Sequence, residues 1–316
     1  MEQCRENEGF APPVCTELLR RFEEKEALHS GRKLRFSGVG ENDVYNISAP
    51  FRIGRTTVIA GRVEARTAWA GSHVVFFEEE NDVWVPTNGA PILRLEDGFA
   101  MRIGDETIFG GVEVYPDPLA IDSRGVGYRT VFYRGYDFPS LHTFAVGPDM
   151  MKDIRLVALP NGLGSCTRPQ GGLSGRGQIG YVELKCAEDI NAQNILSARI
   201  IEDQFAPGEW GGTNELHLLQ DGRIGILGHI AYKDAYDDKH YYAMSFTYDP
   251  KRHRATPIEI IATRKNFPAG DAKMPALADV IFPGGLVRHG DGTATLYVGL
   301  SDVEAGSVVL PDPFGA

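Results

Sequence analysis

Carboxylates, amides and a guanidinium recur at corresponding places in this 316-residue chain, each just ahead of a strand-like run. Asn46, Ser48 and Pro50 precede the first run, Glu96 and Asp97 the second, and Arg168 and Gln170 the third. Asn214 and Glu215 precede the fourth, Asp279 the last. Polar groups at equivalent positions, in place of apolar filler, suit a sugar-sized polar ligand. Each Asp or Asn alone reads equally well as a turn cap. Other chemistries find no support. Gly171–Gly177 (GGLSGRG) lacks the terminal Lys-Ser or Lys-Thr of a phosphate loop. His217 and His229, or His240 and His253, lack metal-ligand spacing, and neither HExxH nor a Gly-x-Ser-x-Gly elbow occurs. No metal and no cofactor is expected.

The runs that must position these groups are short and rich in Val, Ile, Phe and Tyr. Gly, Asp-Gly, Asn-Gly and Pro break them, the texture of many short strands. Phe51–Gly61 (FRIGRTTVIAG) and Phe99–Gly111 (FAMRIGDETIFGG) share a turn-forming Arg-Ile-Gly, at Arg52–Gly54 and Arg102–Gly104. Looser copies lie at Leu173–Glu183, Leu216–Gly228 and Leu286–Gly299. Five β units, each too small to bury a face alone, predict an all-β fold, a five-bladed β-propeller over residues 36–316. Its inner strands and the loops feeding them converge on one axis. A β-sandwich or two smaller β domains is the alternative, although no linker suggests a split. Residues 1–35 read as an extension with a short N-terminal helix. Thr16 is its expected cap, and Leu18, Leu19, Phe22 and Leu28 recur at helical spacing.

Composition narrows the partners. Forty-three acidic against 32 basic residues give a net charge of -11 and no Lys/Arg stripe, so nucleic acid is not an expected partner. Met1–Pro13 is polar, and no run approaches the ~18 apolar residues of a membrane span, so no membrane association is expected and the cytoplasm is the expected location. Cys4, Cys15, Cys166 and Cys186 lack CxxC spacing and read as free thiols.

Leu95–Gly111 (LEDGFAMRIGDETIFGG) and above all Asp279–Asp302 (DVIFPGGLVRHGDGTATLYVGLSD) resemble the second and last blades of the five-bladed β-mannoside phosphorylases. Ile226–Pro250 (ILGHIAYKDAYDDKHYYAMSFTYDP) resembles that family's blade with a Gly-His pair, a Tyr and a closing Asp-Pro. Including Gly61–Ala65 (GRVEA) and the N-terminal strap, the chain is similar, over roughly residues 40 to 305, to the related glycosyltransferase-phosphorylases of β-1,2-mannan turnover.

The resemblance implies an inverting enzyme in which inorganic phosphate attacks the anomeric carbon, one carboxylic acid serves the leaving oxygen, and cations hold the phosphate. Asp97 matches the family's catalytic Asp, with Glu96 expected to raise its pKa by like-charge repulsion. Arg168 and His229 match phosphate-binding positions and Tyr242 a hydroxyl donor. Arg62 joins them from a set of forked donors that includes Arg66, Arg129 and Arg134. Bacterial phosphorylases usually carry Lys in the third blade, where Arg168 stands here. Asn46, Glu64, Glu96, Gln170, Asn214, Glu215, Asp279 and Asp302 are candidate partners for mannose hydroxyls. Trp69, Tyr128, Tyr133 and Trp210 are candidate platforms for sugar rings. The implied partners are a mannose oligosaccharide, inorganic phosphate or mannose 1-phosphate, and GDP-mannose as a further donor. Two other readings stay open: a hydrolase of the five-bladed type, with Glu215 or Asp279 as its second carboxylate, and a non-catalytic propeller that binds sugar or protein.

Overall fold

The β-branched and aromatic runs between glycine turns form antiparallel strands in the computed structural model, which describes residues 12–25, 29–68, 71–118, 125–171, 175 and 177–315. Cys4, Leu28 and Trp69 lie outside the described residues. Both Arg-Ile-Gly segments are tight turns: Ile53 pairs with Thr56 and Ile103 with Glu106. Gly54 (φ 58°) and Gly104 (φ 59°) take the left-handed conformation that glycine reaches without a Cβ penalty.

Four sheets result. The first holds Asp43–Tyr45, Thr56–Glu64, His73–Glu80 and Val83–Pro86, with Phe51–Ile53 as a branch. The second runs through Glu96–Ile103, Glu106–Pro116, Val126–Gly135 and His142–Val146. The third holds Arg155–Leu159, Gly162–Thr167, Gly180–Leu184 and Arg199–Ile200. A nine-stranded sheet combines two antiparallel groups, one led by Trp210–Leu218, Ile224–Lys233 and Lys239–Asp249, the other by Asp279–Arg288, Thr293–Leu300 and Glu304–Pro311. The groups meet where His240 and Tyr241 pair in parallel with Asp279 and Val280. Arg32–Lys33 adds a last strand, pairing with Ser307 and Gly306. Apolar side chains fill the spaces between sheets; Ile53, Val58, Val74, Phe76, Leu95 and Phe109, for example, form one buried cluster.

Two expectations need correction. The third hairpin is Arg155–Leu159 with Gly162–Thr167, well ahead of Leu173–Glu183. Pro160 and Asn161 make its turn, and among the described residues of the expected unit the strand Gly180–Leu184 takes in those from Gly180 to Glu183. The helix spans Cys15–Glu23 and places Thr16 inside its first turn, with Val14 at the cap position. A distant carboxylate takes the capping role: Glu209 Oε1 accepts the Cys15 N–H at 2.6 Å. Leu18 is buried, and Leu19 and Phe22 pack on the same core.

Three leading strands carry β-bulges, between Glu96 and Phe99, Thr213 and Glu215, and Pro283 and Gly285. A bulge re-aims the side chain it leaves unpaired. Here those residues include Asp97 and Asn214.

Candidate active site

The bulge at the start of the second sheet leaves Asp97 and Gly98 outside the ladder, with Glu96 opposite Val112 and Phe99 opposite Gly110. Asp97 has φ 50°, a left-handed conformation that Asp tolerates better than most residues. Its carboxylate is buried and accepts a hydrogen bond from Asn46 Nδ2 at 2.9 Å. Arg62 sits among three carboxylates: Nη2 is 2.8 Å from Glu96 and 3.6 Å from Glu64, and Nη1 is 3.5 Å from Asp97. Burial disfavours its charge, yet Glu96, Asp97 and Glu64 hold the guanidinium above the ordinary arginine range. Arg62 therefore sits inside the acidic group, its Nη2 donating to Glu96 at 2.8 Å, while its buried Nε meets no hydrogen-bond partner among the described residues. Glu64 accepts in addition from Tyr45 Oη at 2.5 Å and from Lys273 Nζ. Burial raises the Glu96 carboxyl, with Arg62 opposing and Asp97 adding to the shift. Asp302 is likewise raised, first by burial and then by Asp97, against Arg62, Lys273 and Lys239.

The third sheet brings cations to the same region. Lys152 and Asp153 stand just ahead of Arg155–Leu159. Arg168 donates from Nη1 to Asp153 Oδ2 at 2.9 Å and from Nε to the Gly211 carbonyl at 2.8 Å. Burial alone would raise the Asp153 carboxyl; Arg168, Lys152, His229 and Arg155 hold it at about 2. Lys152 makes no hydrogen bond or ion pair with a described residue. Burial works against its charge, but Asp153, Asp97 and Glu96 keep the ammonium above the ordinary lysine range, against Arg168. One ammonium therefore feels both the Asp153 and the Asp97 groups. Burial disfavours the charged form of His229 and pushes its ring down to about 3, with Asp153 opposing and Arg168, Lys152 and Arg155 adding to the effect.

Glu96, Lys152, Arg168 and Gln170 border a single cavity of about 1230 Å³. Tyr128, Trp210 and Tyr241 supply aromatic wall. Tyr128 Oη donates to Gln170 Oε1 at 2.8 Å, and Trp210 Nε1 to Tyr241 Oη at 3.1 Å, so these rings are held in place. An unpaired ammonium, a buried guanidinium, a carboxyl pair and rigid ring faces can together hold an anion beside a sugar.

Several expected members stand elsewhere. Tyr242 Oη donates to Asp279 Oδ2 at 2.7 Å, and His240 Nδ1 lies 2.8 Å from the same oxygen. Tyr242 belongs to the core cluster that holds Cys15 and Leu18, not to the cavity wall. The cause is strand alternation: neighbours on one strand face opposite sides, and it is Tyr241 that reaches the cavity. Glu215 borders a separate cavity of about 350 Å³ with Arg155 and His217, and accepts from the Leu286 N–H at 2.6 Å and from His217. Tyr133 packs against the core beside Phe109. Arg66, Arg129 and Arg134 pair with Asp43, Glu113 and Glu106. The sequence reading missed Lys152, Asp153 and Tyr241. Lys152 and Asp153 occupy the position expected of site residues, just ahead of a leading strand, and would have been found had the third hairpin been placed at Pro160-Asn161-Gly162.

A model of a family described as "Protein of unknown function (DUF1861)" matches residues 20–316. No curated protein sequence matches the chain. Among solved structures, the chain is similar to MPT-4, a mannose phosphorylase from Leishmania mexicana in complex with phosphate ion (35% identity, TM-score 0.85, 95% of this chain and 93% of that one). It is similar also to MPT-1, a GDP-Man-dependent mannosyltransferase from the same organism (33% identity, TM-score 0.85, 96% of each chain). A likeness of fold extends to a β-1,2-mannobiose phosphorylase from Listeria innocua (14% identity, TM-score 0.60, 86% of this chain and 91% of that one).

Proposed function

The chain belongs to the DUF1861 family, and on that premise we propose that it is a mannoside phosphorylase and mannosyltransferase working with inversion on β-1,2-linked mannose. The observation that carries the reading is that Glu96, the neighbour of Asp97, borders one cavity with Lys152 and Arg168, and that the Lys152 ammonium feels the charges of Asp97 and Asp153 while His229 feels those of Lys152 and Arg168. Phosphate seated against Lys152 and Arg168 attacks the anomeric carbon of the terminal mannose. The bond to the rest of the oligomer breaks, a carbon–oxygen–phosphorus link forms, and Asp97 gives its proton to the departing oxygen. α-Mannose 1-phosphate leaves. In synthesis the same carboxylate removes the proton from the acceptor hydroxyl. Glu96, its carboxyl raised by burial, keeps a second acid beside Asp97. Asn46 and Glu64 hold Asp97 and Arg62 in place, while Gln170 and Asp302 meet sugar hydroxyls. GDP-mannose presents a phosphate-linked mannose too, and a cavity of about 1230 Å³ exceeds the roughly 300–1,000 Å³ of an ordinary small-ligand site.

The antiparallel groups are read as five blades of one propeller over residues 36–316, with 1–35 as an extension strapped to it by the helix. A hydrolase needs a second carboxylate across the sugar from the acid. Glu215 and Asp279, the residues weighed for that place, stand away from the cavity.

The test is incubation of the purified chain with β-1,2-linked mannose oligomers, with and without phosphate, and with mannose 1-phosphate or GDP-mannose plus mannose acceptors. Phosphate-dependent release of mannose 1-phosphate, or transfer from either donor, is expected. Phosphate-independent release of mannose would make it a hydrolase, and no turnover with any donor would leave a binding protein. Tyr242→Phe, which removes a buried donor to Asp279, is expected to cost about 1 kcal/mol in a denaturant melt and to leave the KM for phosphate unchanged. A fivefold rise in that KM would return Tyr242 to the site.

A further inference from the structure

Asn214 is the residue that the fourth group's bulge leaves without a ladder partner: Thr213 pairs with Gly228 and Glu215 with Leu227. Bulging turns its side chain onto the neighbouring strand, where its Oδ1 lies 2.8 Å from His229 Nδ1. Both residues are 1% exposed. An amide oxygen only accepts, so this contact needs the proton on Nδ1. Burial keeps the ring neutral despite Asp153, and the cations Arg168, Lys152 and Arg155 act in the same sense as burial. A neutral ring has one N–H, so Nε2 carries a lone pair. Nε2 makes no hydrogen bond with a described residue. Ring rotation is restricted by Tyr241, stacked at 5.7 Å, and Phe282 at 5.0 Å.

We propose that Asn214 is a positioning residue that fixes His229 in the Nδ1–H form, so that Nε2 accepts the hydroxyl of a protonated phosphate oxygen and the site distinguishes phosphate from anions of the same shape that lack an O–H. Phosphate at neutral pH always carries at least one P–OH; sulfate carries none. Lys152 and Arg168 attract both anions alike. Only an acceptor among those cations separates them, because a lone pair facing a sulfate oxygen has no proton to share. The inference rests on the reading of this cavity as a phosphate site, but the tautomer itself does not.

Ring-nitrogen ¹⁵N NMR of the ligand-free full chain, with His229→Gln identifying the signal, is expected to show a pyridine-type Nε2 and a pyrrole-type Nδ1. A protonated Nε2 overturns the inference whatever the enzyme does. Calorimetry with inorganic phosphate and with sulfate is expected to show phosphate binding roughly a hundredfold tighter, since sites built around a ligand hydroxyl reject analogues without it. Equal affinities overturn the inference, whereas an Nδ1–H ring with neither anion bound overturns the phosphate reading of the cavity and leaves the tautomer standing. Asn214→Leu should collapse the preference toward one. Asn214→Asp, whose carboxylate favours a doubly protonated ring with a donating Nε2, should shift the preference toward sulfate. A purely structural role for Asn214 would weaken both anions equally, and that result would also overturn the inference.

Discussion

On the proposed mechanism Asp97→Asn is expected to lower phosphorolysis and reverse synthesis together by about a thousandfold, within the range that a positioned acid–base group contributes. The substitution keeps the side-chain shape and suits the backbone, because Asn reaches the left-handed region at φ 50° as readily as Asp does. Asn46 still finds an oxygen to donate to, so the variant should fold and bind mannose oligomers. Asp97→Ala is the poorer probe, since alanine at that φ adds strain of about 1–2 kcal/mol. Rates in both directions, an oligomer titration and a thermal melt make the measurement. A donor whose leaving group needs no proton, such as a nitrophenyl mannoside, should lose far less rate. Turnover within tenfold of the parent with the natural oligomer would remove Asp97 from the acid–base role.

Arg168→Leu carries the largest expected cost in stability. It leaves Asp153, 1% exposed, without its hydrogen-bonded counter-ion, and breaking one side of a buried pair costs about 3–5 kcal/mol. The pH dependence has a definite sign. Asp153 has a folded pKa of about 2 against an ordinary 3.8, so its contribution is present above about pH 4 and is lost as pH falls through about 2. In the variant burial is less opposed and the carboxyl rises, so acid relieves the variant while it weakens the parent. Urea midpoints should therefore lie far apart at pH 7 and draw together toward pH 3. A gap that stays constant with pH would mean that Asp153 does not sense Arg168.

What could be read from the residues was local. Arg-Ile-Gly fixes a two-residue turn within a few positions, so the hairpins around Gly54 and Gly104 were legible, as was the helix from Leu18 and Phe22. That Glu96 and Asp97 open a strand was legible from the local pattern of Leu95–Gly111, whereas the role given to Asp97 came from the resemblance. What escaped depends on register or on distant partners. Tyr241 and Tyr242 are chemically the same, and only the pairing of that strand decides which faces the cavity. Asn214 owes its direction to a bulge, which no residue type announces. Thr16 was expected to cap a helix that Glu209 caps from 194 residues away. Lys152 was missed through a misplaced hairpin, although its neighbourhood had the right composition.

The short strand Arg32–Lys33 lies against Gly306 and Ser307, and Lys33 adds an ion pair with Glu304 at 2.8 Å. Arg32 and Ser307 are 275 positions apart, so a ribosome must translate nearly everything between them before this seam can be sewn. Until then Glu304–Pro311 would offer a bare sheet edge to any neighbouring nascent chain. Afterwards Gly306 and Ser307 are paired, and Leu34 N–H donates to the Ala305 carbonyl beside them. A circular permutant that joins these segments covalently and opens an exposed turn instead should relieve that vulnerability during synthesis without altering the cavity that Glu96, Lys152 and Arg168 border.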